Sequence, residues 1–145
     1  MLTQQETNAD EVVAASSEPD NWFDVENSVN NLYKLRNVKT RDYVVYKFCS
    51  YLDQKDSEKA ANLLSYMVYL TSTATTTDIA APATIAAIAS YIINAEDEAN
   101  VFSEIAYIAD PQYNLNNLFR RVRQLGADGD QLKALIQNAL ASEFN

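Results

Sequence analysis

The sequence is poor in the residues that build catalytic and metal sites. Its 145 residues include no histidine, one cysteine and two glycines. Without histidine, the chain lacks the usual general base, the Ser-His and Cys-His pairs and the commonest zinc ligand. The only glycines, Gly126 and Gly129, frame a short helix connection instead of a phosphate-binding loop. Carboxylate pairs such as Glu98 with Glu104 are interpreted as solvated charges, so we expect neither an enzyme nor a bound metal or cofactor.

Long hydrophobic runs are also absent. No segment approaches the roughly 18 apolar residues that a membrane-spanning helix needs, and the N-terminus has neither the basic start nor the apolar core of a signal peptide. The most apolar stretch, residues 79–93, is interrupted by Pro82, Thr84 and Ser90. Cys49 cannot form an intramolecular disulfide and is expected to be a buried, inert thiol. We therefore expect a cytoplasmic protein that does not bind membranes.

The net charge of −9 is concentrated at one end of the chain. Residues 1–28 contain seven acidic residues and no Lys or Arg, which leaves 13 acidic and 11 basic residues in the remainder. A nearly neutral body does not suit a protein that imitates nucleic acid through a uniformly acidic face. Residues 1–18 are predicted to be a flexible acidic arm, and residues 19–145 a single domain.

Scarce glycine and proline, with plentiful alanine, leucine, asparagine and glutamate, predict an all-α fold. Apolar residues recur with helical spacing and predict six or seven helices in antiparallel hairpins. The first of these helices carries Trp22, Val25, Val29, Leu32 and Tyr33 as its apolar stripe. The later helices are predicted to begin near Thr40, Asp56, Ile79, Glu96, Leu115 and Asp128. The alanine-rich helix from Ile79 is expected to be central, because it is apolar on nearly all sides.

Residues 80–113 can be aligned with one tetratricopeptide-like helical hairpin, which predicts TPR-like stacking. Ala87, Ala99 and Ala106 then lie where two helices approach closely, and Pro111 lies at the terminating proline. Ala83 stands where a large residue is usual. The pattern therefore indicates helical hairpins and not a peptide-binding repeat array.

A second pattern joins Ala99-Asn100-Val101 to an Ala-Asp-Pro-x-Tyr-x-Leu sequence at residues 109–115. It resembles the C-terminal helical half of an actinobacterial family, the domain-of-unknown-function family 4192. The upstream pair Arg41-Asp42 fits the same family, and the resemblance covers about residues 40–126. Asn94 and Glu96 stand where the family has turn glycines.

The resemblance implies a helical fold and names no reaction. The strand-containing N-terminal half that it implies for full-length members has no counterpart in this chain. We therefore expect a compact relative, encoded by a phage or mobile element of an actinobacterium and acting in the host cytoplasm.

Nine tyrosines are unusual for this length. Tyr43 with Tyr46, and Tyr66 with Tyr69, form i, i+3 pairs on two adjacent helices, so their rings are predicted to line one groove. Trp22 and Phe23 form a rival contact element within an acidic-aromatic segment. The alternative is that all these rings close the core. Our first hypothesis is a helical module that binds a protein partner or self-associates through these residues.

Basic residues form two clusters, which carry the alternative hypothesis of nucleic-acid binding with the acidic arm as a competitor. Solvated helix faces would explain both clusters equally well. Their members are Lys34, Arg36, Lys39 and Arg41 in the first, and Arg120, Arg121 and Arg123 in the second.

The stretch that contains Asp110, Pro111 and Tyr113 is interpreted as a structural corner between two helices. Asp110 is predicted to cap the following helix, Pro111 to occupy a position that needs no N–H, and the Tyr113 ring to pack against the preceding helix. Gly126 is predicted to end the following helix in a left-handed conformation.

Overall fold

A computed structural model describes residues 4–144. Within these residues the regular structure consists of eight α-helices and two single-turn 3₁₀ helices, without strands. The α-helices are α1 (Gln4–Ser16), α2 (Val25–Lys34), α3 (Val38–Asp53), α4 (Ser57–Thr73), α5 (Ala80–Ile92), α6 (Glu96–Ala109), α7 (Asn114–Gln124) and α8 (Gly129–Phe144). The all-α prediction is confirmed. The seven predicted helices correspond to α2–α8. The N-terminal helix α1 was not predicted, so the predicted count is too low.

Helix α1 lies in the segment that the sequence predicted as a flexible acidic arm. Ala9 and Val12 are completely buried, and Val13 and Ser16 nearly so. These positions follow the i, i+3, i+4, i+7 pattern and form a narrow stripe of small residues that packs against α3 and α4. Acidic and amide side chains surround this stripe, so its periodicity is weak in the sequence. Residues 1–3 of the predicted arm lie outside the described residues.

Helix α5 is the centre of the molecule, as its composition predicts. Every residue from Ala80 to Ser90 is buried, and the helix packs against α3, α4, α6, α7 and α8. Its alanines allow close approach of α6, which faces it with the buried Ala99 and Ala106. Larger residues such as Ile85 fill the remaining space, and burying such a side chain contributes about 1.5–3 kcal/mol.

Helices α6 and α7 form an antiparallel pair joined across a buried polar contact. The Ser103 hydroxyl donates to the Asn116 side-chain oxygen at 2.8 Å, and the Asn116 amide donates to the Ser103 carbonyl at 3.0 Å. At the other end of the pair, the Arg123 guanidinium donates to the Asn100 side-chain oxygen at 2.6 Å. The two contacts fix the register of the helices, because each side chain satisfies a specific partner.

Helix α8 runs antiparallel to α3. Near the start of α8, Lys133 and Gln137 donate hydrogen bonds to the Asp53 carboxylate at the end of α3. At the far end, the Phe144 ring contacts the Tyr43 ring with centroids 4.9 Å apart. Gly129 begins α8 against the end of α5, where a Cβ atom would lie 2.7 Å from the Tyr91 carbonyl oxygen.

Side-chain caps set several helix boundaries. Asp24, Asn37 and Asp56 each accept a hydrogen bond from the backbone N–H three residues further along, at the starts of α2, α3 and α4. Asn37 therefore starts α3 two residues earlier than predicted. Across residues 4–144, no helix combines the length and the apolar character required to cross a bilayer.

Candidate functional site

Helix α2 packs on the body through a side that mixes leucines with polar residues. Ser28, Asn31, Leu32 and the following Leu35 are buried. The Asn31 amide donates to the Tyr66 hydroxyl at 2.6 Å, which satisfies both polar groups inside the core. These contacts fix the rotation of α2 about its axis.

The opposite side of α2 exposes a row of apolar side chains. Val25, Val29 and Tyr33 are 74%, 57% and 66% exposed, and they recur every four residues. Residues at i, i+4 and i+8 form one continuous ridge along a helix. We call these three residues the α2 ridge. The sequence predicted these three residues, together with Trp22 and Leu32, as the packing stripe. Leu32 is buried as predicted, whereas the structure turns the α2 ridge outward, because Ser28 and Asn31 form the other buried contacts.

A polar row runs beside the α2 ridge. Glu26, Asn30 and Lys34 also recur every four residues, so the row begins with an acid and ends with a base. Lys34 is the least exposed of the three, and its ammonium group lies 2.5 Å from the Glu11 carboxylate of α1. The surface of α2 therefore carries two parallel rows of side chains. One row is apolar, and the other has an acidic residue at its start and a basic residue at its end.

A second group of exposed apolar residues lies on α6, α7 and α8, and it is less continuous. Val101 and Ile108 are seven residues apart on α6, and Leu118 and Leu125 are seven apart on α7 with the exposed Arg121 between them. A shallow groove of about 490 Å³ separates α7 from α8. The half-buried Ile105 and Val122 lie within these two apolar lines, so each line is partly covered, whereas every residue of the α2 ridge is exposed.

The structure places the predicted tyrosine groove in two separate ring clusters. Tyr43 and Tyr46 contact Phe144 of α8, at centroid distances of 4.9 and 5.7 Å. Tyr43 also bonds to Asp10 of α1, and burial together with this acid raises the pKa of Tyr43 to about 12. This pair of tyrosines thus joins α1 and α8 to α3.

The second cluster contains Tyr66, Tyr69, Trp22 and Phe23. Tyr66 is 1% exposed, and its ring lies 5.1 Å from the Trp22 ring, which also contacts Tyr69 at 5.6 Å. The Trp22 indole N–H donates to the Ala15 carbonyl at 2.9 Å, which ties the cluster to α1. Phe23 rests edge-on against Tyr69 and is largely exposed. Of the six predicted contact residues, Phe23 is therefore the one that presents most surface.

The first basic cluster is divided among partners within the chain. Lys34 binds Glu11, and the Arg36 guanidinium makes two hydrogen bonds to Asp78. Lys39 lines a polar cleft of about 630 Å³ whose walls carry both charge signs. The residues that line it are Arg36, Asn37, Val38, Lys39, Asp42 and Glu143.

The second basic cluster packs on aromatic rings. The Arg120 guanidinium lies 4.2 Å from the centre of the Tyr107 ring, and that of Arg123 lies 4.6 Å from the centre of the Tyr91 ring. Arg121 is exposed on α7. Arg123 already donates to the Asn100 side chain, and the Nη1 atom of Arg120 is buried, which leaves fewer of their donors for phosphate contacts.

The corner before α7 is a β-turn with Pro111 at its second position. The Tyr113 amide donates to the Asp110 carbonyl at 3.1 Å, and the Asp110 carboxylate accepts from the Gln112 amide. Asp110 thus caps the turn itself, while α7 begins after Tyr113 without a side-chain cap. Gly126 follows α7 with a φ of +93°.

The Tyr113 ring contacts α3, where the Arg41 guanidinium carbon lies 5.6 Å from the ring centre. The Arg41 guanidinium donates to the Tyr113 hydroxyl at 3.4 Å, and also to the Asp42 carboxylate at 2.8 Å. Burial raises the pKa of Tyr113, which keeps its hydroxyl neutral. Two sequence features more than 65 residues apart, Arg41-Asp42 and the Ala-Asp-Pro-x-Tyr sequence, therefore meet in one buried contact.

Comparison with known families identifies the chain through nearly its whole length. The model described as "Domain of unknown function (DUF4192)" matches residues 2–129. The chain belongs to the DUF4192 family. The DUF4192 match begins before α1, so it includes the two helices that the resemblance in the sequence left outside, and it ends at the first residue of α8.

Searches of curated proteins and of solved structures found no match to this DUF4192 chain. Within residues 4–144, no group of three or more cysteine or acidic residues is placed to hold a metal ion. The α2 ridge is the surface feature of this DUF4192 chain that sequence reasoning missed. Its residues were visible in the sequence, but their orientation depends on which side of α2 packs against α4.

Proposed function

We propose that this DUF4192 protein is a non-enzymatic helical module that acts by binding another protein molecule through the α2 ridge. The observation that carries the proposal is the outward orientation of Val25, Val29 and Tyr33 on one continuous line. Covering this line with a partner removes apolar surface from water, which is favourable by about 25 cal/mol for each Å² buried. Phe23 and Val38, which flank α2 in the sequence, are also exposed apolar residues.

The proposal is tested by matched valine substitutions on two helices. Val29 on α2 and Val101 on α6 are 57% and 55% exposed, so Val29→Asp and Val101→Asp introduce the same charge at positions of similar exposure. The full-length chain is crosslinked briefly in cells and purified, and the bound proteins are compared by quantitative mass spectrometry. Circular dichroism verifies that both variants remain folded.

We expect Val29→Asp to reduce the recovery of the bound protein about tenfold or more, since a buried charge at a contact centre costs at least about 1.4 kcal/mol. Val101→Asp should retain it. Undiminished binding by Val29→Asp would contradict the proposal, as would a loss confined to Val101→Asp.

The alternative of nucleic-acid binding has less support from the same contacts. Most of the predicted cations already bind acids, amides or rings of this chain. Titration with DNA or RNA at low and moderate salt tests this alternative directly, because phosphate binding weakens steeply as salt rises. We expect no salt-sensitive binding.

We infer that α5 and α6 stack in a TPR-like manner. The support is that Ala87, Ala99 and Ala106, which align with the close-contact positions of that repeat, are all completely buried. Ala99→Leu should separate the two helices and lower the melting temperature, and an unchanged melting temperature would contradict this packing.

We further infer a cytoplasmic protein of a phage or mobile element in an actinobacterium. The support is the Ala-Asp-Pro-x-Tyr-x-Leu sequence at residues 109–115 together with the compact helical body. The genes beside its own test this origin: phage or transposition genes would support it, and a conserved metabolic operon would contradict it.

A further inference from the structure

The α2 surface is complementary to itself when two copies lie antiparallel. A two-fold axis through Val29 places Val25 of one helix opposite Tyr33 of the other, and Val29 opposite Val29. Such an isologous contact needs one patch whose two halves match each other. The even four-residue spacing of the α2 ridge provides that match on the apolar line.

The polar row matches in the same arrangement. When two antiparallel helices are related by a two-fold axis, the rows on the same side of the contact lie next to each other in opposite directions. Glu26 of one copy then lies opposite Lys34 of the other, twice in the dimer, while Asn30 lies opposite Asn30. Both acid-base contacts are favourable. A parallel two-fold arrangement would instead place the two polar rows on opposite sides of the contact, where they do not meet.

We propose that the protein binding to the α2 ridge is a second copy of this chain, in an antiparallel two-fold dimer centred on Val29. This inference rests on the proposed function and specifies its partner. The bond between Lys34 and Glu11 does not oppose it, because an ammonium group has three donors and can bind two carboxylates. The dimer thereby combines a shared apolar line with two symmetric ion pairs at its edge.

Sedimentation of the full chain, from low micromolar to several hundred micromolar, tests the dimer. We expect the wild type and Val101→Asp to form dimers, and Val29→Asp to remain monomeric with an unchanged circular dichroism spectrum. A wild type that is monomeric throughout this range would overturn the inference.

A charge exchange tests the antiparallel arrangement. Glu26→Lys alone places lysine opposite lysine twice, and Lys34→Glu alone places glutamate opposite glutamate twice. We expect each single variant to weaken dimerisation about tenfold, since two surface pairs change from attraction to repulsion. An equimolar mixture of the two variants restores both contacts, so it should form heterodimers about as tightly as the wild type dimerises.

The outcomes separate this inference from the proposed function. Failure of the mixture to associate better than either variant alone would overturn the antiparallel pairing. The wild type could be monomeric and still bind a different protein that Val29→Asp no longer binds. That result would overturn the dimer and leave the proposed function standing. If Val29→Asp changes neither association, both proposals fall.

Discussion

Thr84 places a hydroxyl group in the middle of the most buried helix of the protein. Among residues 4–144, its Oγ1 atom has no hydrogen-bond partner, although the residue is completely buried. Thr71 in α4 provides the contrast, because its hydroxyl donates to the Met67 carbonyl at 2.7 Å. A buried hydroxyl without a partner costs about 1–3 kcal/mol relative to one that is satisfied.

We therefore predict that Thr84→Val raises the free energy of unfolding, by about 1 kcal/mol. Valine has the same shape and replaces the unsatisfied hydroxyl with a methyl group. Thr71→Val is the control, and it should leave stability unchanged or lower it, because it removes a hydrogen bond. Urea denaturation measures both, and equal effects of the two substitutions would show that the Thr84 hydroxyl is satisfied.

Cys49 is completely buried in α3, and burial raises the pKa of its thiol to about 12. Folding therefore favours the neutral thiol over the thiolate. This contribution to stability is fully present below the ordinary thiol pKa of about 8.5, and it is lost as pH rises from there toward the folded value.

We predict that Cys49 in the folded protein is unreactive toward a thiol reagent at pH 8, because the thiolate is the reactive form. Adding urea beyond the unfolding transition should make labelling rapid. Fast labelling of a protein that still shows its native circular dichroism spectrum would contradict the burial of this thiol.

At the scale of single elements, one exposed carboxylate joins the end of α3 to α8. Hydrogen bonds from Lys133 and Gln137 lower the pKa of Asp53. Because the pKa of Asp53 is lower in the folded protein, the contact stabilises the fold fully at pH values above the ordinary Asp pKa of about 3.9. The stabilisation is lost as pH falls from that value through the folded pKa.

We predict that Lys133→Met returns the pKa of Asp53 toward its ordinary value, as measured by NMR titration of the carboxyl group. The accompanying loss of stability at neutral pH should be below about 1 kcal/mol, since the Asp53 side chain is 51% exposed to solvent. Gln137→Met should change the pKa of Asp53 less than Lys133→Met does, because it removes a neutral hydrogen-bond donor. An Asp53 pKa that is the same in the wild type and in Lys133→Met would contradict the contact.

The elements differ in how far the sequence predicts them. Helices α2–α8 follow from apolar spacing, the Asp56 cap and Gly126, because these signals are local. Helix α1 was missed, since Ala9, Val12 and Val13 form a stripe too narrow to stand out among acids. Its helix is stabilised by packing on α3 and α4, which no local pattern reveals.

The rotation of α2 was missed for a related reason. Val25, Val29 and Tyr33 recur with helical spacing beside the buried Leu32, so hydropathy alone assigns all four residues to the packing side. The bond from Asn31 to the Tyr66 hydroxyl decides the orientation, and it joins residues 35 positions apart. The candidate site could therefore be named residue by residue from the sequence, but its exposure could not be predicted.

At the scale of the whole molecule, helices from both ends of the described chain meet on α3. Tyr43 bonds to Asp10 of α1 and contacts Phe144 of α8, so one residue links three helices. Most of the aromatic residues predicted to form a partner surface instead contact other rings within this chain. The surface that we propose for a partner is the α2 ridge, with the polar row beside it.

The most direct test of the central claim is photocrosslinking from the α2 ridge in cells. A photoreactive amino acid is placed at position 29 of the full chain, and in a matched experiment at position 101, and crosslinked peptides are identified by mass spectrometry. We predict an abundant adduct to a protein from position 29, with little from position 101. No adduct from position 29, or equal yields from the two positions, would contradict the claim that the α2 ridge binds a protein.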